Sequence, residues 1–482
     1  MELLNTLQPE RVFYYFQEIS RIPRGSGHTQ KISAYLMEFA RNHGLEAAQD
    51  SAGNVVILKE GTEGYENSPV VILQGHSDMV CEKKPGSSHD FQTEGLDLIL
   101  EGDFLSARDT TLGGDDGIAV AYMLAILESR DIPHPPLEAV ITADEEIGLL
   151  GAGALDLSAL KGRRLINLDS EEEGHLLCGC AGGMTARCGI PVRFGAVSGC
   201  WYEITISGLQ GGHSGSEIHK NRANSNILAG RLLYRLGQRV EYVLSELSGG
   251  TKDNAIPRET RMLVGIDSDE KELLKETLRE LQEELRAEYR GTEEGLILTA
   301  EEKGAGTEPA LHPTSLQKVI FFLMNVPNGV EKMSGVIPGL VETSSNLGIL
   351  CLNPEELSAA VSVRSSVGSA KAALGDRICY LTEFLGGEFH TEGAYPAWEF
   401  REQSPLRDKM TEVYRDMYGT EPAVEVIHAG LECGLFYDGL PDLDCVSIGP
   451  DILDIHTTEE RLSVSSAGRV YEYLLRVLRE LR

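Results

Sequence analysis

Residues 74–80 read Q-G-H-S-D-M-V directly after the apolar run 70–73, so His76 and Asp78 stand two positions apart at the mouth of a buried-strand pattern. Side chains two apart along a strand point to the same side, which predicts an imidazole beside a carboxylate. Later apolar runs also end in acids: Asp115 in T-T-L-G-G-D-D-G-I-A, the pair Glu145–Glu146 in T-A-D-E-E-I-G, and Asp169 in I-N-L-D-S-E-E-E-G. His456, in D-I-L-D-I-H-T-T-E-E, completes the series. Imidazoles and carboxylates suit zinc and other divalent first-row metals, and two neighbouring metals need a bridging ligand. The ordered set therefore reads as a two-metal hydrolase.

Each member taken alone has a plainer use. His76 and Asp78 could be an ordinary buried pair, although Asp78 also suits the task of orienting a ligating imidazole and raising its basicity. Asp115 and Asp116 precede a helical pattern, where acids are favoured by exposed helix amides. Glu145 and Glu146 can divide labour, one binding metal while the other accepts and then delivers a proton. Glu171–Glu173 read as solvated. Three further polar candidates lie later: His213 in G-G-H-S-G, Asn254 in G-T-K-D-N-A-I-P, and Arg364 in S-V-R-S-S. Arg364 could pair bidentately with a carboxylate, and each of the three could instead serve a turn or a local hydrogen bond. H-A-G-L-E-C-G adds His428 and Glu432 in a glycine-supported turn, with the role of Glu432 left open.

These residues need elements to position them. Strands are expected near 54–58, 70–73, 137–143 and 164–168, alternating with helices at 27–43, 117–127 and 154–160; the stretch 81–109 reads as a polar surface excursion. Such alternation predicts an α/β architecture with a mostly parallel sheet carrying its site at the strand C-terminal ends. The pattern changes near residue 187, where strands at 201–209, 261–266, 296–300, 342–350 and 359–364 mix with helices at 222–244, 269–289, 316–326 and 370–385. We expect a catalytic domain over 1–186 and 398–482, interrupted by a large α+β lid domain over 187–397, with no short tandem repeat evident.

Composition sets limits on function. A chain of 482 residues exceeds the size at which one core stops growing, so two domains are expected. The formal charge of −32 argues against nucleic acid, whose partners need positive potential, and against an anionic membrane. Residues 1–12 have no apolar signal core, and no stretch approaches a membrane span. Nine scattered cysteines, with no CxxC array, suit reduced thiols and a cytoplasmic setting.

Across essentially its whole length the chain resembles the M20 metallopeptidases, specifically the aminoacyl-histidine dipeptidase (peptidase D, Xaa-His dipeptidase) group. The resemblance rests on Q-G-H-S-D-M-V, T-T-L-G-G-D-D-G-I-A, D-E-E-I-G, N-L-D-S-E-E-E-G, G-G-H-S-G and H-A-G-L-E-C-G. It departs at Gly114 and Asp116, where relatives commonly carry alanine and asparagine; neither change removes a candidate ligand. The resemblance implies that Asp115 bridges two divalent ions, zinc first, with manganese and cobalt as alternatives. His76 and Asp169 would complete one coordination set, Glu146 and His456 the other. Glu145 would be the general base acting on a water shared by the metals, Asp78 would position His76, and a cis peptide would join Asp115 to Asp116. His213 would stabilise the scissile carbonyl oxygen, while Asn254 and Arg364 would position substrate. The implied reaction is hydrolysis of unblocked dipeptides, Xaa-His dipeptides among the candidates. An N-acyl amino acid amidohydrolase or an aminotripeptidase with the same centre is the alternative, and a catalytically silent peptide-binding protein the non-enzymatic one. The long insertion could let one chain supply the whole site, leaving a homodimer open.

Overall fold

A computed structural model describes residues 7–482; residues 1–6, part of the stretch read above for a signal core, lie outside the described residues. The chain divides into two compact units. The first runs up to Cys180 and includes Trp398–Val426 and Leu431–Arg482; the second comprises Ala181–Ala397 and Ile427–Gly430.

Among the described residues the first unit is built on an eight-stranded sheet ordered Glu46–Gln49, Val55–Lys59, Leu137–Thr142, Val71–His76, Arg164–Asn167, Asp444–Ser447, His175–Cys180, Ala423–Ile427. Its centre, from Leu137–Thr142 to Asp444–Ser447, is parallel. Antiparallel strands flank that centre, so the sheet is mixed. Val71–His76 and Leu137–Thr142 are buried at every position, as expected for parallel strands covered on both faces. Helix Gly114–Glu128 is buried continuously from Gly117 to Leu127, the mark of a helix with no solvent face. Val464–Glu480 carries a one-sided stripe instead, burying Val470, Tyr471, Leu474, Val477 and Leu478. Both helices and the central strands share one core. The parallel strands all end on one edge. His76 closes its strand, and Asp144–Glu146, Asp169 and the segment leading to His456 each follow one, which is where an α/β sheet gathers its ligands.

Several local expectations are corrected. The excursion 81–109 contains a hairpin, Leu98–Glu101 with Phe104–Ala107, turning at Gly102 (φ 62°). It pairs with Arg461–Ser463, which pairs in turn with Ile452–Leu453, and this four-stranded sheet frames the loop bearing His456. The helix expected over 154–160 is instead a short helix, Leu150–Ala154, and one 3-10 turn, Leu157–Ala159. The helix expected over 222–244 covers only Ser225–Leu236. The Asn224 side chain accepts from Asn226 N and Ile227 N and so fixes its start. The chain then turns at Gly237 and becomes strand Tyr242–Gly249.

The second unit holds a nine-stranded antiparallel sheet whose helices share one core with it. Its topology is a nested duplication. Strand Phe194–Ser207, helix Ser225–Leu236, strands Tyr242–Gly249 and Thr260–Ile266, helix Lys271–Glu288 and strand Ile297–Leu311 make a βαββαβ lobe. Strand Gly182–Pro191, helix Pro313–Asn325, strands Val341–Leu352 and Glu356–Ser365, helix Gly368–Phe384 and strand Glu388–Tyr395 make a second. In both, the strands lie in the order fourth, first, third, second. The first lobe is inserted after the opening strand of the other. They join edge to edge where Ser248 pairs with Cys351 and Gly249 with Leu350.

That junction depends on Gly250. Its φ is +71°, and a Cβ there would lie 1.8 Å from the Gly348 carbonyl oxygen. Gly250→Ala is expected to lower the calorimetric unfolding midpoint by about 3 °C or more, through backbone strain and displaced packing. Gly306→Ala, where a Cβ would meet nothing within 4 Å, is expected to leave the midpoint unchanged.

Candidate metal centre

Asp115 lies between two groups of donors. Its Oδ1 is 3.1 Å from His76 Nε2, and the same ring nitrogen is 3.6 Å from Asp169 Oδ1. Its Oδ2 is 3.2 Å from His456 Nε2, which is 3.0 Å from Glu146 Oε2. Ligand atoms of Asp115, Glu146 and His456 fall within 4.8 Å of one another, as do those of His76, Glu145 and Glu146 and those of His76, Asp116 and Asp169. One carboxylate thus turns an oxygen toward each of two ligand sets. The Asp115–Asp116 peptide is cis.

The loops carrying these groups are tied together through backbone atoms. Asp78 is fully buried, and its Oδ1 accepts from Glu145 N at 3.0 Å, while Oδ2 accepts from Glu146 N at 3.3 Å and from Ser26 Oγ at 2.8 Å. Asp78 Oδ1 also lies 3.4 Å from His76 Nδ1, a charge contact outside hydrogen-bond geometry, since that nitrogen has no hydrogen-bond partner. The Asp78 side chain therefore holds the base-bearing loop as well as facing the imidazole. Glu460 holds the Asp115 loop: Oε2 accepts from Leu112 N and Gly113 N at 2.8 and 3.1 Å, and Oε1 accepts from Gly114 N at 2.8 Å. Arg24, 2% exposed, donates to the carbonyls of Ser77, Asp78 and Gly113 and so links the two loops. Gly113 (φ +62°) and Gly117 make room for it, since a Cβ on either would come within 2.5 Å of its guanidinium. Asp116 Oδ2 accepts from His76 N at 3.1 Å.

A buried polar chain runs beneath the centre. Glu432 Oε2 accepts from Gln74 Nε2 and Thr142 Oγ1, both at 2.6 Å. Gln74 Oε1 accepts from Asn167 Nδ2 at 2.6 Å, and Asn167 Oδ1 accepts from Asp169 N at 3.3 Å. Glu432 thus anchors the ends of two parallel strands and, through a third, the backbone of Asp169. Arg24, Glu432 and Glu460 were not assigned roles by sequence reasoning. The signal that could have found the two acids was their place beside singled-out motifs, H-A-G-L-E-C-G and H-T-T-E-E.

The electrostatics suit cations. Burial, reinforced by Asp116 and other neighbouring acids, pushes Asp169 well above the usual carboxylate range. Burial likewise raises Glu145 to about 8 and Glu432 to about 7. Burial acts the same way on Asp115, but hydrogen bonds with His456 and His76 outweigh it and hold the carboxyl below its ordinary value. His456, bonded to Asp115 and Glu146, is raised to about 10. Acids crowded at this density repel one another unless positive charge lies between them. With oxygen and imidazole donors converging in two groups, divalent cations fit that requirement.

The remaining candidates lie in the second unit. The Nδ1 of His213 accepts from Ser216 N at 3.1 Å and Gly215 N at 3.3 Å, which assigns the proton of the neutral ring to Nε2. Burial, with help from Arg364, lowers its pKa. Arg364 stands in a row across four strands, Ser344, Arg364, Gly183 and Tyr395. Lacking a side chain, Gly183 lets the Tyr395 ring cross to the guanidinium, whose Nη1 donates to the phenol oxygen at 3.0 Å. His428, held near pKa 4 mainly by burial, meets Ser344 Oγ at 2.7 Å through Nε2 in the same row. Asn254 is exposed, and its carbonyl accepts from Ser214 N at 2.8 Å.

Comparison with known proteins agrees with this geometry. Residues 200–293 match the peptidase dimerisation domain, and residues 273–480 match peptidase family M20/M25/M40. The chain is 35% identical over 483 residues to the cytosol non-specific dipeptidase of Escherichia coli (strain K12), covering 100% of this chain and 99% of that one. The crystal structure of aminoacylhistidine dipeptidase from Vibrio alginolyticus is similar with a TM-score of 0.91 at 34% identity, over 99% of this chain and 98% of that one. A tripeptidase from Staphylococcus aureus shares the fold, with a TM-score of 0.56 at 16% identity over 98% and 99% of the two chains. Among the described residues no helix is long and apolar enough to cross a membrane.

Glu460 is not among the candidate ligands, yet its hydrogen bonds to backbone N–H groups set the path of the loop bearing Asp115. Glu460→Ala is expected to weaken metal retention by about tenfold or more, the scale of lost outer support. The readout is the chelator concentration that strips half the metal from the loaded protein. Unchanged retention would mean that the loop holds its own shape.

Proposed function

The chain is a metal-dependent peptidase of family M20/M25/M40, and we propose that it hydrolyses unblocked dipeptides, Xaa-His dipeptides among them. The observation carrying this reading is that Asp115 turns Oδ1 to His76 and Oδ2 to His456. In this reading His76 and Asp169 would hold one cation, Glu146 and His456 would hold the other, and Asp115 would serve both. Two divalent cations bound there would supply Lewis acidity to an attacking water and to the peptide carbonyl. Zinc is the first choice for such a donor set, with manganese and cobalt as substitutes.

The chain's own groups do the rest. Glu145 takes the proton of the attacking water and returns it to the leaving amine, the two halves of general acid–base work by one positioned carboxyl. Asp78 keeps Glu145 in reach by accepting from its backbone N–H, and it orients His76. His213 offers an Nε2–H donor to the carbonyl oxygen as charge develops there. Arg364, steadied by Tyr395, and Asn254 position the substrate. Dipeptides are favoured over longer peptides because the two relatives at 34–35% identity bear dipeptidase names. A cytoplasmic setting accords with the first of those names and with nine free cysteines. The match to a dimerisation domain favours a homodimer.

Two experiments test this. The protein is stripped of metal, then reloaded separately with zinc, manganese and cobalt, and assayed on free-amine dipeptides, including Xaa-His, beside their N-acetyl counterparts. Turnover is expected only after reloading and only on the free amines; cleavage confined to the N-acetyl compounds would overturn the reading in favour of an amidohydrolase. In the second, Glu145→Gln is expected to lower kcat by roughly 10²- to 10⁴-fold with metal content unchanged. Wild-type turnover by a fully loaded variant would remove Glu145 from the role of base.

A further inference from the structure

A cavity of about 930 Å³ opens in the second unit, with His213 and Asn254 in its wall. The charged residues lining it are Lys252, Arg258, Glu259 and Arg261. Arg261 Nε donates to Glu259 Oε1 at 2.7 Å, so those two charges offset each other. Asp253, the other acid in this stretch, turns aside and accepts from the Thr185 hydroxyl at 2.8 Å. Burial, helped by Arg364, lowers the His213 pKa and so disfavours a further positive charge there. Lys252 and Arg258 make no ion pair among the described residues, which leaves two uncompensated cations in the wall of a cavity on a chain of net charge −32.

Arg258 is built into this wall. A Cβ on Gly211 (φ +66°) would come within 2.6 Å of Arg258 Cγ and 2.7 Å of its Nε, so the glycine leaves the space that the arginine side chain fills. The next residues, Gly212 and His213, pair with Ile256 and Ala255. His213 lies in this small ribbon and Arg258 two residues beyond its end, so both stand in the same wall. Concave walls of one sign concentrate counter-charge at short range even where the molecule as a whole repels it.

We infer that Lys252 and Arg258 receive an acidic side chain on the C-terminal residue of the substrate, so that Xaa-Glu and Xaa-Asp are preferred over Xaa-Gln and Xaa-Asn. The inference rests on the dipeptidase reading, in which His213 and Asn254 face the substrate. Orientation follows from charge. The free α-ammonium of a dipeptide is repelled by these two cations, so the N-terminal residue lies away from the cavity and the C-terminal one beside it. Arg364 does not line this cavity, which leaves it free for the main-chain carboxylate while the side-chain carboxylate takes the other two cations.

The test compares kcat/KM for Ala-Glu with Ala-Gln, and for Ala-Asp with Ala-Asn, using metal-loaded wild type, Lys252→Met, Arg258→Met and the double variant. Each ratio is internal to one enzyme, so a general loss of activity cancels. Wild type is expected to favour the acidic member by about three- to fivefold for each cation, the scale of a partly exposed ion pair, and more strongly at low salt. In the double variant the ratio is expected to fall to about one, with the single variants between. A wild-type ratio of one or less, or a ratio unchanged in the double variant, overturns the inference. A preference for Glu-Ala over Gln-Ala with none for Ala-Glu overturns the orientation and the inference with it. Failure to cleave any of these dipeptides overturns the dipeptidase reading, and this inference falls with it.

Discussion

Like charges resist being brought together, and the first unit assembles Asp115, Asp116, Glu145, Glu146 and Asp169 at one edge of one sheet. The fold answers that repulsion in two ways. Two imidazoles, His76 and His456, stand on opposite sides of Asp115. The carboxylates that carry no ligand atoms, Asp78 and Glu460, spend their acceptor capacity on backbone N–H groups of the very loops that present the ligands. The buried guanidinium of Arg24 draws the same loops together through their carbonyls. The site is thus held in shape by polar side chains gripping backbone, and the charge excess left over is what divalent cations would neutralise.

Much of this was legible in the sequence. His76, Glu146 and Asp169 could be picked out because each closes or follows an apolar run that forms a parallel strand, and parallel strands end on a common edge, whereas Asp115 was marked by the helical pattern it precedes. The spacing of His76 and Asp78 predicted that they would face each other, and they do, although the strand ends at His76 and Asp78 lies in the loop beyond it. What could not be read were the residues that act on distant backbone. Glu460 meets the amides of Leu112 to Gly114, far away in sequence, and Arg24 meets carbonyls of Ser77, Asp78 and Gly113; a side-chain type says nothing about which main-chain atoms it will find. Helix limits failed for a related reason. Between residues 222 and 244 apolar positions continue at a spacing that suits helix or strand, and only the Asn224 cap and the turn at Gly237 divide them.

The duplication in the second unit stayed hidden for a different reason. A βαββαβ lobe requires alternating apolar positions in its strands and a stripe in each helix, and many aliphatic residues satisfy both. The outer faces of the lobes also differ. Helices Ser225–Leu236 and Lys271–Glu288 are laced by Arg231, Arg235 and Arg239 to Glu276, Glu280, Glu284 and Glu288. The corresponding helices Pro313–Asn325 and Gly368–Phe384 expose Phe321, Tyr380 and Phe384. Strand order survives where residue identity does not, because sheet topology constrains pattern rather than composition.

The nesting of one lobe within the other also orders the birth of the protein. As the chain leaves the ribosome, Gly182–Pro191 emerges without the neighbours it will pair with, since Glu356–Ser365 and Glu388–Tyr395 come only after the whole inner lobe. The inner lobe can close early on largely local pairings, whereas the outer one must wait and then draw together distant ends across a large loop. During that interval this strand stands with both edges bare. That interval is when the chain is most open to pairing with a wrong edge.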